Sequence, residues 1–192
     1  VERAVVNAHH LAPQIVAAVA ERTAPRCEVV VEDTLLETGG GVRNALPLLG
    51  PDPFPVVNGD AFWLDGPAPA LRRLAGAWDG AEMDALLLLV RTALVDGETG
   101  RGDFFLDPLG RARRPREREV APYLYAGVQI LHPRLFAGMP GGAWSLNRVY
   151  DRAIEAGRLF GLVHDGAWFH LSRPEDLVAA ERRLERGLVR FF

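Results

Sequence analysis

Lysine does not occur in this chain of 192 residues: every one of its 22 basic side chains is arginine. A P-loop, whose lysine reaches the phosphates, is therefore excluded. Cys27 is the only cysteine, which excludes an internal disulfide and a cysteine-based structural zinc site; lying in an apolar alternation, it reads as a small core residue. Apolar runs such as Ala85–Val90 reach only six residues, far short of the roughly 20 that span a bilayer. No basic-then-apolar leader opens the chain, so nothing suggests secretion and a cytoplasmic place is expected. The net charge of −3 lacks the basic excess of a nucleic-acid binder. One basic stretch, with Arg111, Arg113, Arg114, Arg116 and Arg118, is broken by Pro115 and interleaved with Glu117 and Glu119, which reads as a solvated loop.

What is present is ordinary for a globular protein, 48% hydrophobic and 24% charged residues. The length predicts a single domain over 1–192, able to bury roughly 70% of its unfolded surface without staples. Short β-like runs alternate with helical ones, the pattern of a layered α/β domain. Strands are predicted at Ala4–Asn7, Cys27–Val31, Phe54–Val57, Asp84–Arg91, Leu159–His164 and Trp168–Leu171, with longer β segments around Phe104–Leu106 and Val120–Leu131. Helices are predicted at Pro13–Arg22, with Ile15, Val16 and Val19 on one face, and at Gly39–Leu49, Pro69–Trp78, Asn147–Gly157 and Pro174–Gly187, the last capped by Ser172. The uninterrupted apolar character of Asp84–Arg91 fits the middle of a parallel sheet. The chain opens beside a strand with no β-α unit before it, which implies either a different fold or an N-terminal piece not included.

Four places carry candidate chemistry. Val56-Val57-Asn58-Gly59-Asp60 sets a carboxylate at the carboxyl end of what reads as a central parallel strand, where α/β sheets bind ligands. Gly59 lets the chain turn, and Asp60 can face a cation or cap the next segment; one carboxylate suffices to begin a magnesium site. In Leu36-Glu37-Thr38-Gly39-Gly40-Gly41 the glycines at a helix start can expose N–H groups to a ligand, or form a flexible turn. In Gly100-Arg101-Gly102-Asp103-Phe104, Arg101 can pair with a phosphate and Asp103 with sugar hydroxyls, or the segment is a hairpin entry with a surface ion pair. His170, in Trp168-Phe169-His170-Leu171-Ser172-Arg173-Pro174-Glu175, can ligate a metal, bind a ligand or sit as a core imidazole.

Taken in order, these segments together with Val6-Asn7-Ala8-His9-His10 and Tyr125-Ala126-Gly127-Val128-Gln129-Ile130-Leu131 resemble the sugar-phosphate nucleotidyltransferases, in the branch similar to N-acetylmuramate-1-phosphate uridylyltransferases and mannose-1-phosphate guanylyltransferases. The resemblance runs from Val5 to Leu184, with Glu-Thr-Gly-Gly-Gly and Asn-Gly-Asp its most specific elements. It implies a three-layer α/β/α sandwich, GT-A-like and Rossmann-related, with a mixed central sheet and its N-terminal β-α unit missing. It implies a reaction between a nucleoside triphosphate (UTP or GTP) and a sugar 1-phosphate that yields a nucleotide sugar and pyrophosphate, with Mg²⁺ as cofactor. By the family pattern Asp60 is the catalytic residue and holds the metal. Glu37, Thr38, Gly39, Gly40 and Asn58 border the nucleotide, while Gly102, Asp103, Ala126 and Gly127 border the sugar. His170 stands where the family often has a second metal-binding aspartate, and imidazole is the poorer magnesium ligand.

The family's opening strand, its arginine-bearing Gly-rich loop and its Pro-Lys-Pro segment have no counterpart here. The sequence reads as if about 40 residues, one such unit, preceded Val1, and the chain alone is expected to be inactive. Two other functions compete. One is a non-catalytic nucleotide-sugar-binding or interaction module. The other is a glycosyltransferase, disfavoured because Asn58 stands where its Asp-x-Asp pattern needs a second aspartate. An unpaired strand edge would invite association, hence a possible homo-oligomer. Nothing points to a membrane or nucleic-acid partner.

Overall fold

The run Ala85–Val90 lies in a strand whose side chains from Ala85 to Val90 are all buried, with Leu87, Leu88 and Leu89 at 0% exposure. The computed structural model to which it belongs describes residues 1–95 and 100–187. In chain order the elements are β1 (Arg3–Ala8), α1 (Ala12–Ala20), β2 (Arg26–Val31), α2 (Glu37–Leu49), β3 (Phe54–Val57), β4 (Ala61–Leu64), α3 (Ala70–Ala77) and β5 (Ala85–Arg91). There follow β6 (Phe105–Leu106), β7 (Ala112–Arg113), β8 (Tyr123–Leu131), α4 (Asn147–Glu155), β9 (Leu159–Val163), β10 (Ala167–His170) and α5 (Pro174–Glu185). The chain gathers into two compact units, one of Val1–Asp52 with Pro133–Arg152, the other of Pro53–His132 with Ala153–Phe192.

In the first unit β1 and β2 run parallel, in register from Arg3 opposite Arg26 to Ala8 opposite Val31. Parallel neighbours need a crossover, and α1 supplies it. Ile15 and Val16 of α1 are exposed, so the apolar face read from their spacing is not a core face among the described residues. α2 follows β2 and ends at Gly50, whose N–H donates to the Leu46 carbonyl.

The second unit holds a mixed sheet in the order β3-β8-β5-β9. β8 is antiparallel to both β3 and β5, whereas β5 and β9 are parallel. Leu86, Leu88 and Val90 of β5 pack with Ala126, Val128 and Ile130 of β8, Phe160 of β9, and Ala70 and Leu74 of α3. Full burial of each such leucine contributes about 1.5–3 kcal/mol. A separate antiparallel pair joins β4 to β10, and β6 to β7.

Four sequence expectations change here. β5 is central but not in a parallel sheet: it is parallel to β9 on one side and antiparallel to β8 on the other. β3 is not a central parallel strand: it ends the four-strand order and pairs antiparallel with β8. An apolar run reports burial on both faces and carries no information on neighbour direction. β4 was not foreseen, because Ala61-Phe62-Trp63-Leu64 gains its strand character only by pairing with β10. Ser172 does not cap α5: Arg173 is the N-cap residue, and its N–H donates to the Asp176 carboxylate at 2.8 Å. No described helix is long and apolar enough to cross a membrane.

Candidate active site

Asp60 and His170, 110 residues apart, meet because β4 and β10 are antiparallel with Ala61 opposite His170. Asp60, one residue before β4, is tied down by its carbonyl, which accepts the Leu171 N–H at 2.8 Å. Its Oδ2 lies 3.1 Å from His170 Nε2. A proton on Nε2 makes the imidazole the donor and the carboxylate the acceptor. Ser172 Oγ sits 2.8 Å from the same nitrogen. Both side chains are about half exposed, His170 at 54% and Asp60 at 47%, so the ion pair adds little to stability and both groups face solvent.

The imidazole is set by what lies behind it. Trp168, two residues earlier on the same face of β10, stacks on it with ring centroids 5.8 Å apart and planes 20° apart. The indole is anchored in turn by Nε1–H donating to the Ala126 carbonyl at 2.8 Å. Beneath Asp60, the Asn58 N–H donates to the Gly127 carbonyl at 2.7 Å. The glycine this turn depends on is Gly127 rather than Gly59. Gly127 has φ +77°, and a Cβ there would stand 2.8 Å from Ala61 Cβ, whereas one on Gly59 would meet nothing within 4 Å. Gly127 therefore both adopts the left-handed region and admits the turn against β8.

These residues line a cleft of about 630 Å³ that contains Asn58, Asp60, Asp103, Ala126, Gly127 and His170, six of the residues singled out from sequence. Asp103 is oriented by the Tyr125 N–H, which donates to its Oδ2 at 2.9 Å, and its other oxygen has no hydrogen-bond partner among the described residues. Gly102 does not line the cleft; a Cβ on it would stand 2.2 Å from the Ala121 carbonyl oxygen, so its glycine serves backbone packing. Trp168, Tyr125, Arg173 and Asp176 also line the cleft and were missed as site residues. For Trp168 a signal existed, since residues i and i+2 of a strand share a face with His170. No group of three or more His, Cys, Asp or Glu side chains among the described residues could hold a metal.

Arg101 was read either as a partner for a phosphate or as part of a hairpin entry with a surface ion pair. Its guanidinium instead donates to the carbonyls of Arg116 at 2.7 Å and Glu119 at 3.1 Å, and also to that of Glu117. The loop is closed further by Arg113, whose Nη1 donates to Glu119 Oε2 at 2.6 Å, and Arg113 lies over the Phe105 ring. These donors, Arg113 first and then the Arg116 N–H, pull the Glu119 carboxyl down to about 2. Within the basic stretch Arg113 is thus held by Glu119, while Arg111 reaches out to Glu82 at 3.5 Å.

Glu37, Thr38, Gly39 and Gly40 belong to the other unit. Their glycines do not expose N–H groups: those of Gly39 and Gly40 donate to the Trp144 carbonyl at 2.8 and 3.1 Å. Thr38 Oγ1 accepts the Leu146 N–H at 3.0 Å. A Cβ on Gly39 would lie 2.2 Å from the Trp144 ring, so glycine is required there by packing. What the turn offers outward are the exposed side chains of Glu37 and Thr38.

The chain is 39% identical over 191 residues to the N-acetylmuramate alpha-1-phosphate uridylyltransferase of Caulobacter vibrioides, covering 96% of this chain and 78% of that protein. It is 38% identical over 171 residues to the bifunctional protein GlmU of Burkholderia thailandensis, covering 81% of this chain and 36% of that protein. HddC from Yersinia pseudotuberculosis shares the fold with a TM-score of 0.73 at 19% identity, over 96% of this chain and 79% of that one. The inositol-1-phosphate CTP transferase from T. maritima does so with a TM-score of 0.69 at 17% identity, over 96% and 76%. No protein-family profile matches the chain. An α/β fold with a mixed sheet, together with a relative this similar along nearly the whole chain, leads to one assignment: the chain belongs to the sugar-phosphate nucleotidyltransferases, which transfer a nucleotide to a sugar 1-phosphate.

Proposed function

We propose that this nucleotidyltransferase uses UTP and N-acetylmuramate α-1-phosphate, releasing pyrophosphate and forming the uridine diphosphate sugar. The observation that carries the substrate choice is the 39% identity, through 96% of the chain, to a protein of that name. The same coverage, which runs through both units, supports treating 1–192 as one functional domain.

The reaction is an in-line displacement. A phosphate oxygen of the sugar attacks the α-phosphorus of the nucleotide, the new P–O bond forms, and the bond to the pyrophosphate oxygen breaks. Little covalent work falls to the protein, so positioning and charge carry the catalysis. Asp60 fits the role of magnesium ligand: its carboxylate is half exposed at the cleft edge, on a residue whose carbonyl is tied by the Leu171 N–H, and magnesium takes one or two carboxylates beside phosphate oxygens and water. Bound there, the ion supplies positive charge to the phosphates. His170 orients Asp60 through Nε2, and reaches the same ion only by giving up that hydrogen bond. Asp103 offers its second oxygen to a sugar hydroxyl, with Ala126 and Gly127 as the wall beside it. Asn58 and the exposed Glu37 and Thr38, on the turn with Gly39 and Gly40, are the groups assigned to the nucleotide.

The test is pyrophosphate release by the protein expressed from its whole reading frame, with Mg²⁺, across four nucleoside triphosphates and three sugars: N-acetylmuramate, N-acetylglucosamine and glucose 1-phosphates. UTP with the muramate is expected to lead every other pair by at least about tenfold in kcat/KM. Preference for another base or sugar overturns the substrate choice and leaves the family assignment standing.

A further inference from the structure

Glu32 is the one buried carboxylate among the described residues, at 8% exposure. No cation among the described residues partners it. Its Oε1 accepts the Asn7 Nδ2–H at 2.8 Å and its Oε2 accepts the Leu36 N–H at 3.1 Å. The same Asn7 amide donates to the Gly41 carbonyl at 3.0 Å. His9 Nδ1 lies 2.8 Å from the Glu32 carbonyl. A desolvated charge held only by neutral N–H donors is costly unless each bond is well made. Here those bonds grip both ends of one short segment, Leu36 and Gly41. Negative charge before the first turn of α2 is also favoured by the helix dipole.

Inside that segment Glu37 has φ +58°, a conformation that costs a side-chain-bearing residue free energy and persists only where its surroundings over-determine it. Two clamps do so. On one side are Glu32 and Asn7. On the other, Trp144 donates its N–H to the Leu36 carbonyl at 3.1 Å and accepts from Gly39 and Gly40. The strained residue itself is exposed, and its carboxylate makes no hydrogen bond or ion pair among the described residues. Strain held by a buried network at an exposed, unengaged side chain is the arrangement of a ligand-facing turn.

We infer that Glu32, with Asn7, is a positioning residue for nucleotide binding: its buried carboxylate holds Glu37 and Thr38 in the orientation that receives the nucleotide. The inference rests on the assignment of Glu37 and Thr38 to the nucleotide. Releasing the clamp lets Glu37 relax to an ordinary backbone conformation, which moves both side chains.

The experiment uses the full reading-frame protein and the UTP reaction. Glu32→Gln keeps the size of the side chain but replaces the acceptor facing Leu36 or Asn7 with a donor. It is expected to raise KM for UTP about tenfold, with kcat and KM for the sugar phosphate within about twofold. Gly41→Ala perturbs the same network from the other side, since its Cβ would stand 2.9 Å from Glu32 Oε1; the same rise in KM is expected, and the double variant is expected to fall short of the sum. Gly41→Ala carries the test alone if Glu32→Gln does not fold. A folded variant with a lower Tm and unchanged KM for UTP overturns the inference and leaves Glu32 structural. Glu37→Ala separates the two levels. If it raises KM for UTP while the Glu32 and Gly41 variants do not, only the positioning role fails. If it leaves KM unchanged, the nucleotide assignment fails and the inference falls with it.

Discussion

The turn at Leu36–Gly41 and the edge at Asp60–His170 are the two parts of the molecule assigned to substrate, and they are built differently. The turn is made of backbone: its glycines are buried, the Gly39 and Gly40 N–H groups are spent on Trp144, and Glu32 and Asn7 hold its ends. The Asp60 edge is made of side chains that remain half exposed and open to the cleft, His170 held by Asp60, Ser172 and the Trp168 ring. The difference teaches what a substitution should do at each. A change to the buried glycines or the clamp of the turn must cost stability, because those groups are already bonded or packed; a change at Asp60 can remove activity and leave the fold unaffected.

The largest effect is expected from Trp144→Ala. The ring is 4% exposed, faces Phe136 at 6.1 Å and closes over Gly39, so truncation should cost about 3–5 kcal/mol in denaturant unfolding. A loss below about 1 kcal/mol would erase the contrast, since the turn would then be holding itself. Next is Asp60→Asn, expected to lower kcat about 10²–10³-fold while stability changes by no more than about 0.5 kcal/mol. Comparable losses of stability and activity would show that Asp60 is structural like the turn. The smallest effect concerns the Arg101–Glu119 clasp. Glu119 is lowered from 4.5 to about 2, so its contribution is complete above pH 4.5 and lost as pH falls through about 2. Carbon NMR of the Glu119 carboxyl should place its midpoint near that value, and Arg113→Ala should return it toward the ordinary range. A midpoint unmoved by Arg113→Ala would mean that the clasp is not what holds the loop.

Much of this was legible beforehand where the signal is local. Phe54–Val57 was read with the bounds observed, and the helix of α5 started at Pro174 as its proline predicts. Asn58, Asp60, Asp103, Ala126, Gly127 and His170 were named from order and motif, and the fold brings them to one cleft. Glu32 was passed over, because a lone glutamate after a strand reads as surface until its burial is seen. For Arg101 and the Gly39–Gly40 amides the choice between a ligand role and a structural one stayed open, since an isolated arginine or glycine run shows what it can bind and not what already binds it.

By itself the sequence determined the α/β alternation, the apolar spine of β5 and the family, because each is written in residues close together or in ordered motifs. Only the tertiary structure decided that β3 runs antiparallel at the end of its sheet, that β4 exists, and which donors were already occupied. Strand direction and hydrogen-bond occupancy are properties of partners distant in the chain, and no residue carries them alone.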